Sequence, residues 1–237
     1  MGNYVVYHMH SDISNLTAGT GADSITKYTD YIKRASELGM QAMAISEHGS
    51  VMNWIEKKKA IEKAGMKYIH ANEIYLTQKI DKDDDGNPIK IRDNYHYILI
   101  AKNYDGVLEL NNLTSKSFNR EDGHFYHNPR ITFDELKRTS DNILMTSACL
   151  ASPLWRLYNK AYSEIGIKDL EAKRELEEML DWMAKNKHRM FFEIQYHDHP
   201  QQIAFNQMLF RLSRELDIPL IAGTDTHALN REHAEAR

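Results

Sequence analysis

Seven short runs rich in Val, Ile, Tyr and Phe punctuate the chain: Tyr4–His8, Ala42–Ser46, Tyr68–Leu76, His96–Ala101, Ile143–Ser147, Met190–Gln195 and Leu220–Gly223. Most are continuously apolar rather than alternating, as expected of strands covered on both faces in a parallel sheet. Helical patterns separate most of them. Ile25, Tyr28, Ile32, Ala35 and Leu38 recur at helical spacing between a cap at Asp23 or Ser24 and a terminator at Gly39. A second helix runs from Val51 to Ala64, and a third from Asp105 to Phe118 with Leu108, Leu110 and Leu113 inward. Thr132-Phe-Asp-Glu135 reads as a capping box. Pro153 marks another first turn, a break falls at Gly166, and a charged helix starts from Asp169. Pro200 opens the last helix, with Met208, Leu209, Leu212 and Leu216 as its buried stripe. Such alternation means α/β, and seven units in 237 residues favour a closed (β/α) barrel over an open sheet, as a single domain over residues 1–237. Two segments interrupt the rhythm. Thr77 to Asn94 is polar and turn-rich, a hairpin-like insertion, and Asn119 to Arg130 is a polar loop.

Composition narrows the classes. With 42% apolar residues the chain can bury a full core, and the net charge of −4 gives no global attraction to a polyanion and no polybasic membrane patch. No apolar run approaches the ~18–20 residues of a membrane span, and the first residues lack the basic start and apolar core of a signal peptide. One cysteine, Cys149, excludes an intrachain disulfide framework and fits a reducing, cytoplasmic setting. Asp81-Lys-Asp83-Asp-Asp85-Gly86 has the start of a calcium loop, but its twelfth position is Arg92 and Pro88 intrudes, so it reads as a solvated turn. Lys57-Lys-Lys59 reads as a solvated helix face, and Gly19-Thr-Gly21 is too short for a phosphate loop.

Histidine changes the picture: there are 12, several at the ends of apolar runs. His8 and His10 close the first run, Glu47 and His48 follow the second, and Glu73 lies late in the third. His96 opens the fourth, Cys149 follows the fifth, Glu193 lies in the sixth, and Asp225 and His227 follow the seventh. In a β/α barrel these residues converge on the mouth at the C-terminal strand ends. Imidazoles, carboxylates and a thiol crowded there call for metal, and their mix suits Zn²⁺ or Mn²⁺ better than Ca²⁺. They outnumber one tetrahedral shell, so two or three ions are expected. Glu193 is either a ligand or a carboxylate that fixes a histidine tautomer. His70, His197 and His199 read as supporting or loop residues, and His188 and His233 as surface residues.

The motifs His8-Met-His10-Ser11, Ile45-Ser-Glu47-His48-Gly49, Asn72-Glu73-Ile-Tyr75, Ala101-Lys-Asn103, Ser147-Ala-Cys149-Leu150, Phe192-Glu193-Ile-Gln195 and Gly223-Thr-Asp225-Thr-His227 together resemble the PHP (polymerase and histidinol phosphatase) family over nearly the whole chain. Within it they look most like the N-terminal PHP domain of bacterial DNA polymerase III alpha subunits, whose polymerase catalytic region this sequence does not include. The resemblance implies a distorted (β/α)₇ barrel with a trinuclear centre, phosphoester hydrolysis, and metal-dependent 3′–5′ exonuclease action on single-stranded or frayed DNA ends. It implies His8, His10, Glu73 and Asp225 as the core of the site, with His48, His96, Cys149 and His227 completing the other shells. Glu47 stands where the family usually has Asp. Leu16 and Thr17 stand where a further His or Asp usually lies, so Asp12 or Asp23 would have to substitute. The other readings are a small-molecule phosphatase, a metal-stabilised domain that braces a polymerase without catalysis, and an amidohydrolase. The last would need a bridging Lys, for which Lys102 is the nearest candidate.

Overall fold

The computed structural model describes residues 4–18, 21–163 and 165–237. Gly19 and Thr20 of the paired-glycine stretch lie outside the described residues, as do the first three residues of the chain. In chain order the strands are β1 (Ala42–Met43), β2 (Lys67–Tyr68), β3 (Ala71–Thr77), β4 (Tyr95–Ala101), β5 (Phe125–Tyr126), β6 (Asn128–Thr132), β7 (Ile143–Thr146), β8 (Tyr162–Ser163), β9 (Gly166–Ile167), β10 (Met190–Gln195) and β11 (Leu220–Gly223). The helices are α1 (Tyr28–Glu37), α2 (Trp54–Lys63), α3 (Tyr104–Ser117), α4 (Phe133–Lys137), α5 (Pro153–Ala161), α6 (Leu170–Lys185), α7 (Pro200–Leu216) and α8 (Arg231–Glu235). This is a mixed α/β fold. None of these helices is long and apolar enough to cross a membrane.

Seven strands form one sheet in the order β11-β10-β7-β4-β3-β6-β5. The β11–β10, β10–β7 and β3–β6 pairs are parallel, whereas β4 runs antiparallel to both β3 and β7. The expected run of parallel strand–helix units is therefore interrupted. The reason lies in residues 78–94, which return the chain as a hairpin excursion closed by a Lys82–Pro88 bridge. A hairpin connection reverses strand direction, whereas a parallel neighbour needs a crossover. The reversal has a functional effect: it puts the start of β4, with His96, at the end of the sheet where the neighbouring parallel strands finish. His96 pairs with Tyr75 near the end of β3.

The first apolar run is not a strand with a ladder. It makes single-residue bridges, Val6 with Met43 and Met9 with Thr226, and His48 bridges Glu73 in the same way. The His10 amide donates to the Thr226 carbonyl at 2.8 Å, and the Thr226 amide to the His8 carbonyl at 3.1 Å. These bonds fix the His8–His10 segment beside the end of β11.

Two other expectations shift. The polar stretch from Asn119 to Arg130 carries the β5–β6 hairpin instead of a plain loop, and β6 lies beside β3. Its polar residues are nonetheless buried: the Arg130 guanidinium donates to the carbonyls of Ile91 at 2.5 Å and Gly123 at 3.0 Å, and to Asp93 at 2.9 Å. Apolarity could not signal such a strand. The first helix begins at Tyr28 rather than at Ser24. The Asn15 side chain explains this, since its oxygen accepts from the amides of Asp23 (2.6 Å) and Ser24 (3.0 Å) while its nitrogen donates to the Ser24 carbonyl (2.7 Å). Those bonds hold Asp23 and Ser24 out of the helix.

The main core packs α3 to α7 against the sheet through Leu99, Leu110, Leu136, Met179, Phe192 and Phe205, all fully buried. Each such side chain contributes on the order of 1.5–3 kcal/mol relative to exposure. A second cluster, including Val6, Tyr31, Ile32, Met43 and Ile61, sits under α1 and α2. The capping box at α4 forms as the sequence predicts, with Thr132 and Glu135 bonding to each other's amides. Pro153 and Pro200 occupy first turns.

Gly106, near the start of α3, tests the packing. A Cβ there would lie 2.4 Å from the Asn142 carbonyl oxygen and 3.3 Å from Ala101. Helix propensity alone favours Gly106→Ala by up to ~1 kcal/mol. The contact predicts the opposite sign, a loss of about 1–3 kcal/mol typical of overpacking. Urea unfolding of the variant decides between them, and a raised midpoint would refute the close approach.

Candidate metal centre

Glu73 is the hub. It is fully buried in β3, and four imidazoles converge on its two oxygens. Oε1 lies 3.3 Å from His8 Nε2 and 3.2 Å from His96 Nδ1, and Oε2 lies 3.2 Å from His10 Nε2 and 2.8 Å from His48 Nδ1. Asp225 Oδ1 is a second point of convergence, 3.0 Å from His8 Nε2, 3.3 Å from His10 Nε2 and 3.4 Å from His227 Nδ1. Asp23 Oδ2 is a third, 3.4 Å from both His48 Nε2 and His227 Nε2. Asp225 has a positive φ of 46°, and Ala148, just before Cys149, has 55°. Both bends lie where strands end and side chains turn into the site.

Three overlapping groups of potential ligands result: His8, His10 and Asp225; His48, Glu73 and His96; and His10, Asp23, His48 and His227. The chemistry of the donors fits metal. His8 Nε2, His10 Nε2, His48 Nδ1, Asp23 Oδ2, Glu73 Oε2 and Asp225 Oδ1 are buried and make no hydrogen bond of good geometry. Six such orphan atoms facing one another would be costly in a finished site, because buried polar groups are otherwise paired. Nitrogen and oxygen donors of this kind suit Zn²⁺ or Mn²⁺.

The protonation pattern agrees. Burial pushes Glu73 up, but the imidazoles of His96, His48 and His8 outweigh it and hold the carboxyl well below the carboxylate range. Burial likewise opposes Asp225, and His8 and His10 hold it well below. His8 and His48 are driven down by burial, yet their facing carboxylates win: His8 ends well above the usual imidazole range and His48 is raised to about 10. The centre thus retains negative charge and draws protons onto its imidazoles, the places that a cation would occupy. His96 goes the other way, since burial lowers it more than Glu73 raises it.

The remaining expected residues fall in different places. Cys149 Sγ lies 3.6 Å from His96 Nδ1 and 3.9 Å from Glu73 Oε1, beside the second group but outside all three. Burial, with Asp225 and Glu73 nearby, raises its thiol well above the usual range. Glu193 stands behind His8. Its Oε1 lies 2.5 Å from His8 Nδ1 and accepts from Gln195 at 2.7 Å, and its Oε2 accepts from Tyr7 and Thr146, both at 2.9 Å. Donors therefore surround this carboxylate, and His8 gives it the Nδ1 proton and turns Nε2 toward the centre. Glu47 lies outside the three groups. Both of its oxygens are taken: Lys57 Nζ at 2.6 Å, Ser14 Oγ at 2.6 Å, the Ser11 amide at 2.9 Å and the Ser11 hydroxyl. Burial opposes its charge, and Lys57 and the serines overcome that and hold it below the ordinary range.

Lys57 corrects a second expectation, because it is buried and paired while Lys58 and Lys59 face outward. Its spacing from Trp54 and Ile61 puts it on the inner face of α2, a signal the triple-lysine pattern obscured. Thr17 donates to the His48 carbonyl and so braces a ligand instead of serving as one. Of Asp12 and Asp23, the structure brings in Asp23. His70 is buried between Tyr68 (2.7 Å) and Asn111 (3.0 Å), and burial lowers it to about 4, the state of a neutral structural imidazole. An open cavity of about 740 Å³ lies away from the centre, lined by Trp54, Lys59, Lys67, Lys102 and Tyr104. It contains none of the candidate ligands.

An α/β fold that gathers three overlapping carboxylate–imidazole groups has the donor set of a metal-binding class of site. A model of the PHP domain family matches residues 7–197, and the chain belongs to that family. The DNA polymerase III subunit alpha of Borreliella burgdorferi is 34% identical over 99% of this chain and 19% of its own length. That of Aquifex aeolicus is 28% identical over 97% of this chain and 19% of its own. The chain thus spans about a fifth of these curated relatives. A solved protein from Bifidobacterium adolescentis, designated a candidate metal-dependent phosphoesterase, shares the fold with a TM-score of 0.52 at 13% identity, over 94% of this chain and 87% of its own.

Two outcomes are expected of this centre. Below pH 10 His48 carries a proton that a metal ion must displace, so metal binding at pH 7 releases protons and the apparent affinity rises with pH. Calorimetric titration with Zn²⁺ in buffers of different ionisation enthalpy measures the release, and zero release would contradict the pattern. Gly223→Ala places a Cβ 2.2 Å from Glu193 Oε1. The carboxylate must then shift, and metal affinity should fall by about 10–100-fold as His8 loses its orientation; an unchanged dissociation constant would count against Glu193 as its support.

Proposed function

We propose that residues 1–237 form one PHP domain, with 77–94 as a hairpin-like insertion, of a polypeptide of the DNA polymerase III alpha kind. Its centre binds two to three divalent ions, Zn²⁺ or Mn²⁺, and hydrolyses phosphoester bonds at single-stranded or frayed 3′ ends of DNA. One observation carries the hydrolytic reading: the four-residue group shares His10 with one of the other two and His48 with the other, so the ions they hold would be neighbours. The relatives named DNA polymerase III subunit alpha support DNA as the substrate and the rest of a polymerase in a cytoplasmic setting as the partner. The bridges of Val6 and Met9 to Met43 and Thr226 support closure of the strands into a distorted (β/α)₇ barrel.

Neighbouring divalent ions supply Lewis acidity toward a phosphoryl oxygen and make water more acidic near pH 7. The protein's own residues set the rest. His8, His10, Glu73 and Asp225 form the inner shell, and His48, His96, His227 and Asp23 complete it, with Cys149 at its edge. Glu73 and Asp225 keep their negative charge where cations are to be held. Ions held by this shell would attract a phosphodiester despite the chain's net charge of −4, because the local charge opposes the global one. Few Lys or Arg contacts to the phosphates are then needed, and the salt dependence should be modest compared with that of a basic-groove binder.

Elemental analysis after Zn²⁺ or Mn²⁺ loading should give two to three ions per chain, and fewer than one would end the metal reading. A 5′-labelled oligonucleotide should be shortened by the loaded protein, with His10→Ala and Asp225→Asn at least about 100-fold slower while both variants keep the native circular dichroism. Equal cleavage by wild type and His10→Ala would assign the activity to a contaminant. Metal binding with no cleavage would replace this reading with that of a bracing domain.

A further inference from the structure

The Lys57–Glu47 pair is buried, charged and outside the ligand groups, yet it is one residue away from two of the ligands. The link is Ser14. Its hydroxyl oxygen lies 2.6 Å from Glu47 Oε2, 3.1 Å from the His48 amide nitrogen and 3.3 Å from His10 Nδ1. A hydroxyl has one proton and two lone pairs. Lys57, the Ser11 amide and the Ser11 hydroxyl already donate to Glu47, which is therefore an acceptor, and the Ser14 proton goes to it. The His48 amide can only donate, and it takes one lone pair. What remains for His10 is the second lone pair, so His10 Nδ1 must carry a proton. Were Nδ1 bare, two lone pairs would face each other in a fully buried contact.

We infer that Ser14, committed by the Glu47–Lys57 pair, is a positioning residue that accepts the His10 Nδ1 proton and so holds the ring with Nε2 toward the centre. The consequence for metal rests on the proposed metal reading, since His10 belongs to two of the three ligand groups. Glu193 does for His8 with a carboxylate what Ser14 does for His10 with a hydroxyl, but the hydroxyl could equally donate. Its direction is set one step further out, by the charge on Glu47. If Glu47 ceased to accept, the Ser14 proton would turn to His10 Nδ1, which could then no longer carry its own.

The test separates the tautomer from the metal. Nitrogen-15 histidine spectra of metal-free protein should show a proton on His10 Nδ1 in wild type. Ser14→Ala removes the acceptor and should lower the share of His10 that carries the Nδ1 proton. Glu47→Leu combined with Lys57→Met leaves no unpaired buried charge and no acceptor for the Ser14 proton, which should then turn to His10 and displace the proton from Nδ1. In calorimetric titrations with Zn²⁺, Ser14→Ala should lose about 10–100-fold in affinity, the range for a residue that orients a ligand. A bare Nδ1 in wild type, or an Nδ1 proton unmoved in both variants, overturns the inference. The expected tautomers in a protein that binds no Zn²⁺ would uphold the relay and end the metal reading instead.

Discussion

A single carboxylate, that of Glu73, sets the terms for the rest of the molecule. It is fully buried at the middle of the sheet, and an isolated charge in such a place costs several kcal/mol unless opposite charge compensates it. Four imidazoles surround it, drawn from the His8–His10 segment, the end of the β1 region and the start of β4. The fold is what allows these distant stretches to reach one point. The antiparallel β4 is essential here, because a parallel strand would have carried His96 to the far end of the sheet.

Around that inner set lies a second layer that carries no free atoms. Glu193 and Glu47 are both buried, and donors saturate both of them, hydroxyls, an amide and an imidazole for the first, an ammonium and serines for the second. The division is physical. The outer carboxylates are satisfied by the protein, so they orient their neighbours, whereas the inner ones retain unsatisfied atoms and hence affinity for a cation. Gly223 shows how closely the layers fit, since even a methyl group there would displace Glu193.

Much of this was legible in the sequence, and the failures have identifiable causes. Apolar runs located β4, β7, β10 and β11 to within about a residue, and residues at strand ends supplied His8, His10, His48, Glu73, His96, Asp225 and His227 for the centre. The β6 strand was hidden because polar residues such as Asn128 and Arg130 are buried by hydrogen bonds, which periodicity does not register. Glu47 looked like a ligand because it adjoins His48. What separates them is Lys57, ten positions away and concealed among lysines that are solvated. Asp23 was readable only as a helix cap or a substitute ligand, since its place depends on Asn15, eight residues earlier, through a clamp without a sequence signature.

The backbone at Asp225 has a bearing on what this position can become. A φ of 46° is tolerated by Gly, Asn and Asp far better than by residues with longer side chains. Glutamate, which would offer chemically adequate donor atoms, would therefore have to overcome conformational strain as well as altered reach. Asparagine would suit the bend but bring no charge, and glycine no donor at all. Backbone geometry and donor chemistry thus narrow this position to few residues, of which aspartate alone combines the bend with a negative charge.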